Sequence, residues 1–119
     1  MNTDSPGGYK LSRGVNNSPV PMDNLRLEIS PTCFYLLSYH HMEFAKFEST
    51  KDRDTLTISF LHHQARVAGR NLRELALGIQ TRTVEFIKPV PGRYGAATEN
   101  GFVESVEVEA GDTQEKSPD

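Results

Sequence analysis

Five residues, Thr50-Lys51-Asp52-Arg53-Asp54, constrain this chain more than any other stretch. They combine the short polar side chains of a tight turn with flanks that read as extended chain. On the far side Leu56, Ile58 and Phe60 alternate with Thr57 and Ser59, the period-two signature of a half-buried strand. Met42–Ser49 on the near side alternates less regularly. A chain that folds back near Asp52 lays these two segments side by side. A fold containing such a hairpin must bury one face of it, so a sheet lies at the centre of the expected architecture.

Leu25, Leu27 and Ile29 alternate with Arg26 and Glu28, and Ser30-Pro31 stops this strand because proline has no ladder donor. Thr32–Tyr39 is apolar at successive positions, as expected for a strand covered on both sides. Gln64–Ala68 continues the sheet after a bend at His62-His63. Leu72, Leu75 and Ile79, with Ala76, mark the buried stripe of a short helix entered at Asn71 as N-cap candidate, with Gly78 weakening it. Thr83–Ile87 is a strand ended by Pro89 and Pro91, Gly92–Gly101 a long loop, and Phe102–Glu109 a closing strand. The expected fold is α+β: a mainly antiparallel, curled sheet of about six strands with one short helix, in the order β-β-β-β(-β)-α-β-β.

Composition sets the limits of that domain. Of 119 residues 36% are hydrophobic, and mean hydropathy is −0.52. The apolar residues concentrate in the middle, so residues 24–109 are expected to form one domain. Residues 1–23, rich in Gly, Ser, Asn and Pro, and the acidic residues 110–119 are expected to be disordered, since they carry too little apolar surface to offset the entropy of ordering. A core of this size is small, and dimerisation is a common remedy. A single cysteine, Cys33, excludes an intrachain disulfide. The amino-terminal residues lack a signal-peptide pattern and no apolar run matches a membrane span, so a cytoplasmic protein is expected.

Charge is segregated along the chain. Lys51–Arg93 holds eight basic residues against four acids, while Glu99–Asp119 holds seven acids and one lysine. Arg66, Arg70 and Arg73 surround the expected strand-to-helix junction. There they would make an anion or RNA site from guanidinium groups and helix-start amides, with Tyr35, Tyr39 and Tyr94 available to stack on bases. Solvated surface arginines are the plainer interpretation. Glu104, Glu107 and Glu109 fall on the outward face of the last strand, where charge discourages edge pairing.

Two histidine pairs, His40-His41 and His62-His63, gain interest from the hairpin. Folding back at Asp52 brings all four to one end and sets His41 across from His63. With Glu43 on the face of His41, His41, Glu43 and His63 would offer two imidazoles and a carboxylate to a divalent transition metal, a set suited to iron, zinc or manganese. Cys33 next to a histidine would serve a nucleophile, but inside an apolar strand it reads as a buried thiol acting as a small hydrophobe. No phosphate-binding loop, dinucleotide fingerprint, zinc-hydrolase motif or nucleophile elbow occurs. The leading expectation is therefore a non-enzymatic protein-interaction or oligomerisation module without a cofactor, acting through a sheet edge or through Thr32–Tyr39. A metal-binding protein and an RNA or anion binder are the alternatives.

Overall fold

The structure, a computed structural model, describes residues 7–90 and 101–110. The loop expected at 92–101 and the tail expected at 110–119 lie almost wholly outside the described residues. Among the described residues eight strands and one α-helix follow in order: β1 (Tyr9–Leu11), β2 (Asn24–Ser30), β3 (Cys33–Ser38), β4 (Met42–Ser49), β5 (Asp54–Phe60), β6 (His63–Arg70), α1 (Arg73–Gln80), β7 (Val84–Ile87) and β8 (Phe102–Ala110). From Asn24 onward this is the expected order with its optional fifth strand present.

The strands form two sheets rather than one curled sheet of six. One has the order β1-β7-β2-β3 and the other β4-β5-β6-β8. The division falls at Tyr39–His41, a 3-10 turn that separates β3 from β4. Ser38 Oγ accepts from the His40 amide at 3.1 Å, and the Tyr39 ring turns into the core, where its hydroxyl donates to the Val84 carbonyl at 2.8 Å. A helical turn with a buried anchor ends the ladder, so β4 starts a new sheet instead of pairing with β3. All pairings are antiparallel except β2 with β7, because α1 carries the chain back to the first sheet and inserts β7 between β1 and β2.

Alternation along each strand builds the core. Leu25, Leu27 and Leu37 from the first sheet face Leu56, Ile58, Val67 and Val106 from the second. Leu72, Leu75 and Ile79 of α1 are fully buried against them, as their spacing predicts. Gly78 does not weaken the helix by accident. A Cβ there would lie 2.7 Å from Leu11 Cδ2 and 2.8 Å from Val84 Cγ2, so the missing side chain lets α1 approach β1 and β7.

The N-cap of α1 is Leu72, not Asn71, and Leu72 has no capping side chain of its own. Asn71 instead takes a positive φ of 52°, which turns the chain between β6 and the helix. The cap comes from β5: Asp54 Oδ2 accepts from the Leu72 amide at 3.0 Å, while Asp54 Oδ1 accepts from Ser49 Oγ at 2.6 Å. Asp54 is itself buried. At the other end Arg82 adopts φ 59°, and the Thr83 and Arg82 amides donate to the Gly78 and Ile79 carbonyls, a left-handed helix stop.

Residues 7–23, expected to be disordered, are tied to this helix stop. Tyr9–Leu11 pairs with β7, the Ser12 amide donates to Thr83 O at 2.6 Å and the Met22 amide to Arg82 O at 2.7 Å. A three-residue strand leaves too short an alternation to stand out from the Gly, Ser and Asn around it.

Replacing Asp54 by alanine strands the Leu72 amide and the Ser49 hydroxyl, and is expected to cost about 2–3 kcal/mol in urea unfolding, with Asp54→Asn costing less. Gly69 is a second sensitive point, since a Cβ there would collide with the Phe102 carbonyl at the irregularity between β6 and β8. Gly69→Ala is expected to destabilise by about 1–3 kcal/mol, and an unchanged urea midpoint would contradict that packing.

Candidate interaction surface

Pro31 and Thr32 form the two-residue connection between β2 and β3, with Ser30 opposite Cys33 across the hairpin. Beyond this turn β3 reads Cys-Phe-Tyr-Leu-Leu-Ser and occupies the end of the first sheet. Leu37 points inward and is buried, but the strand is not covered on both sides as expected. Phe34 is 55% exposed, Leu36 63% and Tyr35 36%, and Cys33 is exposed as well. The buried thiol expected at Cys33 is thus corrected. Its position at the start of an edge strand, beside the hairpin turn, leaves the sulfur in solvent.

The described residues contain four sheet-edge strands, and three of them carry charge. β1 has Lys10, β4 has Glu43, Lys46 and Glu48, and β8 has Glu104, Glu107 and Glu109. β3 has no charged residue and no proline. Charged side chains and prolines are the ordinary devices that keep an edge from pairing with another chain. β3 is the edge without them.

Phe34 and Leu36 also border an aromatic-cationic face. Register aligns Leu36, Arg26, Phe86 and Lys10 in one row across the sheet. The Arg26 guanidinium lies 4.9 Å from the Phe86 ring centroid and 5.8 Å from that of Phe34, and its Nε donates to Glu28 Oε2 at 2.9 Å. Arg26 is therefore stacked and paired, which keeps the outer face of β2 rigid and close to neutral beside the free edge.

On the inner side, β3 meets the turn between β5 and β6. The Tyr35 and His63 rings make an edge contact with centroids 5.9 Å apart. Next to them lies a cleft of about 290 Å³ lined by Asn24, Leu36, Leu37, Ser38, His41, Phe60, His62 and His63. Three of the four histidines thus line one cleft, where the hairpin was expected to gather all four. The register differs from the expected one. Met42 pairs with Phe60, the Leu61 amide donates to the His41 carbonyl at 2.8 Å, and the chain turns there, so His63 begins β6 one strand further over.

The proposed metal set is spread by that turn. His41 ends the 3-10 turn, His63 contacts Tyr35, and Glu43 on β4 accepts from Ser59 Oγ at 3.3 Å. Among the described residues, no three or more His, Cys, Asp or Glu side chains group in a way that could hold a metal ion.

The arginines are also dispersed. Arg66 aligns with Glu107 on the outer face of β6 and lies 3.8 Å from its carboxylate. Arg73 belongs to the opposite side, its guanidinium 5.6 Å from the centroid of Phe47, whose row continues through the buried Leu56 and Val67. Arg70 is exposed at the end of β6. The helix-start amide expected to face an external anion already bonds the Asp54 carboxylate. Of the tyrosines, Tyr39 is buried and Tyr94 lies outside the described residues. The unprotected edge of β3, the feature with the clearest geometry, left a signal in sequence: six successive uncharged residues ahead of an ordinary turn.

No known protein family, curated protein or solved structure matches this chain.

Two phenols, buried Tyr39 and half-buried Tyr9, offer a check on how this end and the helix are packed. Burial pushes the Tyr39 hydroxyl well above its ordinary value of 10.0. Burial, then the Glu74 carboxylate 2.9 Å away, raises Tyr9 likewise. The stability tied to these neutral phenols is fully present below about pH 10 and is lost as pH rises through the raised values. Phenolate absorbance between pH 10 and the alkaline unfolding transition is accordingly expected to be unchanged by Tyr39→Phe or Tyr9→Phe; a drop in either variant would contradict the packing described.

Proposed function

We propose that the protein is a self-associating module without catalytic activity, in which the free edge of β3 pairs with the same strand of a second copy. The observation that carries this reading is the contrast among sheet edges: three bear charge, whereas β3 presents Cys33–Ser38 without charge or proline and leaves Phe34 and Leu36 largely in solvent.

A second copy suits this edge for a geometric reason. Two β3 strands related by a two-fold axis pair antiparallel, and directly opposed residues share a face of the joined sheet. Residues of the same parity then oppose each other. With the axis at Tyr35, Phe34 of each copy faces Leu36 of the other, so both exposed apolar side chains lose their water at once. A six-residue strand adds on the order of six backbone hydrogen bonds to this contact. The joined sheet would have eight strands, within the usual range. The single cysteine, exposed, and the lack of any helix long and apolar enough to span a membrane among the described residues favour a cytoplasmic setting.

Light scattering coupled to size exclusion is expected to give twice the 13.3 kDa chain mass at high protein concentration, falling toward the monomer on dilution. Phe34→Lys and Leu36→Lys should each give a monomer with an unfolding midpoint close to that of the parent. In a Cys33→Ser background, Tyr35→Cys should form an intermolecular disulfide under mild oxidation, because it sits at the two-fold axis. A strict monomer at several hundred micromolar would refute the proposal.

A further inference from the structure

Between α1 and β4 lies a groove of about 430 Å³ that plays no part in the β3 edge. Its base is the fully buried pair Leu56 and Ile79, and Phe47 and Met42 stand along the β4 side. The groove exists because two small residues meet where larger ones would close it: Ala45 on β4 and Ala76 on α1. One polar side chain, Gln80, lines it.

The helix gives this groove a direction. Arg73, Ala76 and Gln80 are spaced i, i+3, i+7 and follow one face of α1. Arg73 and Gln80 are two turns apart, about 10.5 Å along the axis. At the first end the Arg73 guanidinium lies 5.6 Å from the centroid of Phe47, itself a wall of the groove. Arg73 has no carboxylate partner among the described residues, unlike Lys10, Arg26, Lys46, Arg53 and Arg66. The result is an apolar trough with a guanidinium stacked against its Phe47 wall, near the lower size limit of small-molecule sites, which are typically apolar with few polar groups fixing orientation.

We propose that the α1–β4 groove binds a single-chain aliphatic carboxylate, with its tail on Leu56, Ile79 and the two alanines and its carboxylate at Arg73. Guanidinium and carboxylate match in geometry as well as charge, and the wall at Phe47 holds the guanidinium where the headgroup would arrive. Gln80 sets the tail length, so a chain about as long as octanoate spans the apolar floor.

Titration of the full chain with hexanoate, octanoate and decanoate, followed by backbone amide shifts, tests this directly. Affinity is expected to rise two- to fourfold per methylene up to octanoate and to level off by decanoate. Octanoate should bind at least tenfold tighter than octanol, and Arg73→Gln should abolish that preference while leaving octanol binding unchanged. Ala76→Leu, and independently Ala45→Leu, should fill the groove and lose both ligands. The urea midpoint identifies a variant that has failed to fold, and the second substitution then decides. The proposal is overturned by absence of binding at millimolar octanoate, by equal binding of octanol, or by shifts that persist in both filled variants.

Discussion

A single carboxylate ties the helix to the central hairpin. Asp54 opens β5 at the foot of the central hairpin, takes the Ser49 hydroxyl from β4 and caps the Leu72 amide of α1. It is buried, so both oxygens need partners, and the partners come from different elements. The helix start can therefore sit only where the hairpin end allows. From there α1 crosses back over the core, Gly78 lets it approach β1 and β7, and the left-handed stop at Arg82 directs the chain into β7 between β1 and β2. The parallel β2–β7 pair follows from that crossing.

The same arrangement explains why one edge is left open. β7 enters the first sheet on the side of β2 away from β3, and β1 closes that side further. The 3-10 turn at Tyr39 meanwhile sends the chain after β3 into the other sheet. No described strand reaches the outer edge of β3, and its exposed aromatic and aliphatic side chains follow from position, not from an excess of hydrophobic residues. Nor does the Asp54 cap leave an open anion site: the negative charge favoured at a helix start is supplied from within the chain.

Much of this was legible in sequence where periodicity ran long enough. The strand after the bend (Asp54–Phe60), the turn before it at Thr50–Arg53 and the stripe Leu72, Leu75, Ile79 lie within one residue of where alternation and helical spacing put them. β1 was hidden because three residues cannot display a period. The split into two sheets was hidden because the 3-10 turn depends on a tertiary hydrogen bond from Tyr39 to Val84, 45 residues away. Asp54 read as a turn residue, and its capping role is visible only once β5 and α1 are brought together. For the candidate sites, the shared end of the histidines followed from the bend at Asp52. Their dispersal depended on where β5 stops: the bend expected at His62-His63 falls at Leu61-His62, so His63 already belongs to β6 and no longer lies across from His41.

Amide hydrogen exchange across a dilution series addresses the open edge most directly. In β3 alternate amides bond β2 while the others point away from it. If the edge joins a second copy, the outward amides of Cys33–Ser38 gain protection as concentration rises, and the outward amides of charged β4 do not. Exchange in β3 that is fast and independent of concentration would contradict the account.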